Sequence, residues 1–223
     1  MDWKLVIFDL DGTLLDTIGD LGAAVDHAME SRGFPTHTVE EYKTMVGHGV
    51  RNLVAMALPE EHRDEATVDA ALSDFRKWYE SHIDVLTRPF PGIPELLRDL
   101  DGWGVKLAVA SNKFQEGADA LIKEFFPDIR FVAVLGDRPG QPLKPDAAVV
   151  RSILRAAGIA PGSRAVMVGD SGTDIRTALA GGIAAIGVAW GYRPADALAA
   201  AFAGTPCIVP DIATLRHLLI PET

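Results

Sequence analysis

The 223-residue sequence has little cysteine, little basic charge and no long hydrophobic segment. Its one cysteine, Cys207, cannot form a disulfide within the chain, which suits a reducing cytosol and predicts a cytoplasmic protein. The longest uncharged run, Thr177 to Tyr192, is shorter than the roughly 20 residues of a membrane-spanning helix. The start of the chain shows neither the basic region nor the cleavage site of a signal peptide. We therefore expect no membrane association.

Basic residues are outnumbered by acidic ones, 21 to 31, so the net charge is −10 with neutral histidines. Because nucleic acids select clustered Lys and Arg, this balance argues against a nucleic-acid partner. The excess lies in residues 15–87, which hold 14 acidic and 6 basic residues and five of the six histidines. The rest of the chain carries a net charge of only −2. This change in composition indicates a separate domain.

Outside that segment, short apolar runs alternate with stretches of helical periodicity. The apolar runs do not alternate with polar residues, which is typical of strands buried on both faces of a parallel sheet. Strands alternating with helices predict a doubly wound α/β core. The predicted strands are Leu5–Phe8, Leu107–Ala110, Phe131–Leu135, Ala165–Val168, Ile183–Val188 and Ile208–Val209. The predicted helices are Ile93–Leu100, Glu116–Phe126, Ala147–Ala157, Asp174–Ala180 and Ala195–Ala203.

Residues 15–87 show helical periodicity and no strand pattern, which predicts a small helical bundle. Its helices are expected around Leu21 to Ala28 and over 39–46, 50–58 and 68–83. Without this insertion the core consists of residues 1–14 and 88–223. Three prolines and a glycine within residues 89–94 mark the place where the chain re-enters the core.

Polar residues follow several of the predicted core strands. Residues 8–13, Phe-Asp-Leu-Asp-Gly-Thr, place two carboxylates after the first strand, and residues 111–113, Ser-Asn-Lys, end the second. Lys144 precedes a proline and a helix, and residues 169–174, Gly-Asp-Ser-Gly-Thr-Asp, end a further strand. One Asp-Gly pair alone is commonly a solvated turn. Together the four motifs predict a site, because ligands bind at the carboxyl edge of such sheets.

The residue types at this edge favour phosphoryl chemistry. Several carboxylates on one rim repel one another unless a hard cation lies among them, and Mg²⁺ takes oxygen ligands together with phosphate oxygens. A hydroxyl and a lysine beside such a cation suit a phosphoryl group. A carboxylate can also attack phosphorus and form an aspartyl phosphate, which divides one difficult hydrolysis into two easier steps.

In their order and spacing the four motifs resemble those of the haloacid dehalogenase superfamily, and the resemblance covers essentially the whole chain. It implies a Rossmann-like core with an inserted helical cap that closes over the site. The implied activity is Mg²⁺-dependent hydrolysis of a small phosphorylated metabolite. Asp9 would be the nucleophile, and Asp11 first the general acid and then the base. The Asp9 carboxylate, the Asp11 main-chain carbonyl and Asp170 would ligate Mg²⁺.

The resemblance also implies roles for residues around these carboxylates. Thr13, Ser111, the backbone of Asn112 and Lys144 would hold the phosphoryl oxygens. Lys144 would further offset the charge that grows on the transferring group. Asp174 would orient either a metal-bound water or Lys144.

Residues 46–51, Val-Gly-His-Gly-Val-Arg, resemble the cap loop of phosphoglycolate phosphatase-like members, and residues 187–193 are similar to the same subgroup. This resemblance implies 2-phosphoglycolate as the substrate and Gly47, His48 and Arg51 as substrate contacts. Ala147 stands where the subgroup often has a second proline, which is a departure from its pattern. Two other groups are predicted to pack in the core: Cys207, and the aromatic residues Trp190 and Tyr192.

Other functions use related residues. A pyrophosphatase or nucleotidase stays open, whereas a sugar phosphomutase tends to carry an apolar residue at the position of Thr13. A hydrolytic dehalogenase needs neither Asp11 nor Mg²⁺. A phospho-receiver domain of signalling proteins has its accepting Asp after a later strand and no large insertion, unlike Asp9 here. The sequence leaves open whether the protein is a monomer or a homodimer.

Overall fold

The computed structural model describes residues 3–160, 162 and 164–220. The ends of the predicted core at residues 1–2 and 221–223 lie outside the described residues. The strands are β1 (Leu5–Phe8), β2 (Leu15–Asp16), β3 (Arg88–Pro89), β4 (Lys106–Phe114), β5 (Phe131–Asp137), β6 (Ala165–Gly169), β7 (Ala184–Val188) and β8 (Ile208–Val209). Six of them form one parallel sheet in the order β5-β4-β1-β6-β7-β8, and β2 pairs with β3.

Helices connect these strands. They are α1 (Ile18–Glu30), α2 (Val39–Met45), α3 (Val50–Ala57), α4 (Glu65–Tyr79), α5 (Ile93–Gly102), α6 (Gln115–Phe125), α7 (Ala148–Ala156), α8 (Gly172–Ala180), α9 (Ala195–Ala199) and α10 (Ile212–Leu219). A short 3₁₀ turn, Glu60–His62, precedes α4. Within the described part of the chain, no helix is both long and apolar enough to cross a membrane.

Both faces of the sheet are covered, which confirms the predicted doubly wound α/β fold. Val6 and Phe8 of β1 lie in an apolar cluster with residues of α5, α6 and α10, whereas Leu5 and Ile7 pack with α7 and α8. Alternate residues of one strand therefore serve two cores. The prediction of burial on both faces was wrong for β5, whose residues are all half-buried because it is an edge strand.

The segment between β2 and β3 folds into α1 to α4, as its helical periodicity predicts. These helices share an apolar cluster of their own, in which Tyr42, Phe75 and Tyr79 are fully buried. The expectation of no strand in residues 15–87 was wrong at β2, whose two residues are too few to show an alternating pattern. The division into a core and a cap at residues 15 and 88 stays a prediction.

Candidate active site

The carboxyl ends of β1 and β6 lie side by side, so their following residues meet. The Asp9 amide donates to the Val168 carbonyl, 2.9 Å away, and the Thr13 hydroxyl donates to Asp170 Oδ1 at 3.3 Å. Gly12 permits this approach. Its φ is +84°, and a Cβ there would lie 2.5 Å from Asp170 Oδ2, so a larger residue is excluded on both grounds.

Strand β4 delivers its polar residues through an irregularity. The register with β5 shifts between Ala110 and Phe114, where three residues of β4 lie opposite one residue of β5. Residues 111–113, Ser-Asn-Lys, therefore leave the regular ladder, as extra residues in a bulge do. All three side chains are buried, and all three residues line the same cavity as Asp9.

Lys144 lies between two carboxylates. Its Nζ is 2.8 Å from Asp9 Oδ1 and 2.7 Å from Asp174 Oδ1, and all three side chains are buried. Burial by itself would lower the pKa of Lys144, but Asp174 and Asp9 outweigh it and raise that pKa above its ordinary value. The ammonium is therefore kept charged beside Asp9, the predicted nucleophile.

Three carboxylates form a cluster that a cation fits. One oxygen each from Asp9, Asp170 and Asp174 lies within 4.8 Å of the others. Burial and the nearby Asp174 raise the pKa of Asp9 well above its usual range, although Lys144 opposes them. The same two causes raise the pKa of Asp170 to about 7. Hard oxygen donors whose charges repel are the donor set that Mg²⁺ prefers.

Asp11 has its own partners. Its Oδ1 accepts hydrogen bonds from the Thr17 hydroxyl at 2.7 Å and from Lys113 Nζ at 3.2 Å. Its Oδ2 has no protein partner among the described residues. One oxygen is thus fixed, and the other is available to give or take a proton.

The predicted phosphate-binding residues take different positions. Ser111 lines the cavity, and its Oγ accepts from the Lys113 amide. The Thr13 hydroxyl is fully buried against Asp170. The Asn112 side chain donates to the carbonyls of Gly47 and Lys144, so only its backbone is left for a phosphoryl group.

The cavity above these residues measures about 630 Å³, including its mouth. Of the predicted cap contacts, Gly47 lines it. His48 is exposed and is not among the lining residues that the structure describes. Arg51 pairs with Asp69 on the surface of the helical segment, with about half of each side chain exposed. The structure therefore brings the core residues together with Gly47 and leaves His48 and Arg51 outside.

Sequence reasoning missed the loop after β7. The Tyr192 amide donates to Asp170 Oδ2 at 2.7 Å, and its hydroxyl accepts from the Thr17 amide at 2.8 Å. Arg193 lines the cavity and donates to the carbonyls at the end of α2, those of Lys43, Thr44 and Val46. Tyr192 was predicted to pack in the core. Its side chain packs against the apolar cluster of the helical segment, and its amide also holds a carboxylate of the site. The resemblance of residues 187–193 to the subgroup was the available signal.

The chain is similar to proteins of a known family. Residues 6–188 match the family model of the haloacid dehalogenase-like hydrolases. The chain belongs to this family. This confirms the predicted superfamily, and the relatives below confirm the phosphoglycolate phosphatase-like subgroup.

Members of the haloacid dehalogenase-like family align over most of the chain. Phosphoglycolate phosphatase 1 of Pseudomonas aeruginosa is 36% identical over 221 residues, 97% of this chain and 78% of that protein. The phosphoglycolate phosphatase of Pseudomonas syringae pathovar tomato is 35% identical over 196 residues, 85% and 71% of the two chains. The crystal structure of a protein from Lactobacillus delbrueckii subsp. bulgaricus is similar to this structure, with a TM-score of 0.91 and 33% sequence identity over 100% of both chains. The protein is therefore a phosphatase of this family.

Proposed function

We propose that the protein is a Mg²⁺-dependent phosphomonoesterase that hydrolyses 2-phosphoglycolate, or a closely similar small metabolite, through an aspartyl phosphate on Asp9. One observation carries the proposal: Lys144 bridges Asp9 and Asp174 inside a buried carboxylate cluster. The choice of 2-phosphoglycolate rests on the relatives at about 35% identity, which are phosphoglycolate phosphatases. A single half-buried cysteine fits a cytoplasmic enzyme.

The first step transfers the phosphoryl group to the protein. A carboxylate oxygen of Asp9 forms a bond to phosphorus while the bond from phosphorus to the ester oxygen breaks. Asp11, protonated on its free Oδ2, gives its proton to the departing ester oxygen. Lys144 stays bonded to Asp9 Oδ1 and Asp174 Oδ1, so its third N–H can hold a phosphoryl oxygen.

The second step releases phosphate. A water oxygen bonds to phosphorus, the bond from phosphorus to Asp9 breaks, and Asp11 accepts the proton of that water. Both aspartates then return to their initial protonation states. The Thr17 hydroxyl and Lys113 hold Oδ1 of Asp11 throughout, so its Oδ2 serves both proton transfers.

The carboxylate cluster needs a cation for this chemistry. Asp9 and Asp170 would hold Mg²⁺ with the main-chain carbonyl of Asp11, and Asp174 would remain bonded to Lys144. When bound, Mg²⁺ offsets the charge of the carboxylates and of the transferring phosphoryl group. The Tyr192 amide and the Thr13 hydroxyl orient Asp170 for this role.

The experiment that tests the function is a steady-state assay with p-nitrophenyl phosphate and a panel of metabolite phosphates. We expect many turnovers per protein with Mg²⁺, none after EDTA, and the highest kcat/KM for 2-phosphoglycolate. A single equivalent of phosphate released per protein would instead indicate a receiver domain. A low and uniform kcat/KM across the panel would contradict a dedicated substrate.

Replacing Asp11 with asparagine tests the general acid. Without a proton donor, esters with poor leaving groups suffer most, since nitrophenolate departs readily and an alkoxide does not. We expect kcat for ethyl phosphate to fall about 100-fold more than kcat for p-nitrophenyl phosphate, within the usual contribution of such catalysis. Equal losses for the two esters would remove Asp11 from the acid role. The exposed Asp128→Asn variant is the control.

A further inference from the structure

Lys113 is a second buried lysine at the site, separate from Lys144. Its side chain is 3% exposed, and it lines the cavity. Its Nζ donates to Asp11 Oδ1 at 3.2 Å and to the Tyr79 hydroxyl at 2.7 Å, and it lies 4.8 Å from the centre of the Tyr79 ring. An ammonium has three N–H donors. Among the described residues the third N–H of Lys113 has no acceptor.

The other two cations that the structure places on the cavity wall have different partners. Lys144 bonds to Asp9 and Asp174 beside the phosphoryl position, and Arg193 donates to three carbonyls at the end of α2. Lys113 is therefore the cation that contacts Asp11, the residue that faces the leaving group in the proposed mechanism. A buried ammonium with an unused donor favours an anionic partner, because desolvation of the charge is offset only by pairing.

The opposite wall of the cavity, as far as the structure describes it, has no side chain that could hydrogen-bond to a polar leaving group. The cavity residues contributed by the helical segment are Leu21, Val46, Gly47, Gly49, Val50 and Leu53. None of these described residues has a polar or charged side chain. A sugar or nucleoside would leave its hydroxyls without side-chain partners on this wall, which costs affinity. The cavity therefore suits a short leaving group whose charge is recognised from the core side.

We propose that Lys113 is the specificity residue of the enzyme and binds a carboxylate on the leaving group, close to the ester oxygen. The proposal rests on the proposed function. Asp11 donates to the ester oxygen and lies 3.2 Å from Lys113 Nζ, so a carboxylate one or two carbons from that oxygen reaches the ammonium. The substrate class is then short phosphorylated hydroxy acids, of which 2-phosphoglycolate is the smallest.

The first test uses the unaltered protein and three esters of similar size: 2-phosphoglycolate, its uncharged amide and ethyl phosphate. We expect kcat/KM for the acid to exceed that for the amide on the order of 100-fold, the effect typical of a buried charge pair. Equal kcat/KM values for acid and amide would overturn the proposal.

The second test compares Lys113→Met and Lys113→Arg with the exposed Lys123→Met as control. Methionine keeps the length of the side chain and removes its charge, so the acid-to-amide ratio of kcat/KM should fall from about 100 to below about 5. Arginine should keep most of the ratio, and Lys123→Met all of it. If Lys113 only positioned Asp11, Lys113→Met would slow all three esters by one factor and leave the ratio unchanged.

The two proposals fail differently. If the unaltered protein hydrolyses no phosphate ester in the presence of Mg²⁺, the proposed function is wrong and the role of Lys113 is overturned with it. If it hydrolyses ethyl phosphate and the amide with the same kcat/KM as the acid, the phosphatase mechanism stands and only the assignment of Lys113 is overturned.

Discussion

We expect Asp9→Asn to lower kcat for p-nitrophenyl phosphate by about 10⁴-fold or more, because an amide cannot take the phosphoryl group in place of the carboxylate. The substitution preserves the shape of the side chain and the acceptor that faces Lys144 and the Leu10 amide. The measurement is the steady-state rate with Mg²⁺, together with acid quenching of a labelled substrate. The quenched wild-type protein should carry covalent phosphate, and the variant should carry none.

Asp128→Asn is the matched control for this result. Asp128 is an exposed residue after α6, so the same chemical change there leaves the rate unaltered. An Asp9→Asn protein that turns over at the wild-type rate would show that another group is the nucleophile. Its folding is checked by thermal melting, in which the removal of one buried negative charge should not lower the Tm.

We expect Asp170→Asn to have the second largest effect on activity. The substitution should lower activity but raise the stability of the metal-free protein. Asp170 offers its carboxylate to Mg²⁺ in the proposed mechanism, so kcat/KM at millimolar Mg²⁺ should fall about 10³-fold, the equivalent of several kcal/mol of charge stabilisation. In EDTA at pH 8, however, the variant should melt roughly 5 °C higher than the wild type. A stability change of a few kcal/mol shifts the Tm of a domain of this size by that amount.

The sign of the stability effect follows from the pKa of Asp170. Burial and Asp174 raise that pKa from 3.8 to about 7 in the folded protein, so the folded state holds a proton that the unfolded state releases. The stabilisation by this proton is complete below pH 3.8 and is lost as the pH rises through about 7. At pH 8 the ionised carboxylate destabilises the metal-free protein, and asparagine removes that cost.

Thermal melting in EDTA at pH 5 and pH 8 checks this prediction. The Tm difference between Asp170→Asn and wild type should be large at pH 8 and small at pH 5. Mg²⁺ should raise the Tm of the wild type at pH 8 and leave that of the variant unchanged. A variant that still responds to Mg²⁺ as the wild type does would remove Asp170 from the metal site. Asp128→Asn again serves as the control.

The core of the fold was predictable because its strands are short and apolar and are separated by turn-forming residues and helical stretches. The predicted bounds of Leu5–Phe8 and Ile208–Val209 agree with β1 and β8. Strand β4 extends beyond its predicted end at Ala110, since polar residues 111–113 carry no strand pattern. Helix α10 was not predicted.

The central residues of the site were predictable for a topological reason. The ends of parallel strands meet at one edge, so Asp9, Ser111 and Asp170 needed only the strand assignments to be placed together. The contacts of Tyr192 were not predictable, because they join it to Thr17, 175 positions earlier in the chain. The surface position of Arg51 was not predictable either, since its helix face is set by packing between α3 and α4.

The pairing of β2 with β3 brings the two ends of the helical segment together. Leu15 lies opposite Pro89 and Asp16 opposite Arg88, in the separation of about 5 Å that antiparallel neighbours keep. A segment inserted between two such positions can become longer or shorter, or be replaced, while β1 and β4 stay in register. The core residues proposed to transfer the phosphoryl group can therefore be inherited unchanged while the intervening helices diverge, so new leaving groups become accessible without changes at the carboxyl edge of the sheet.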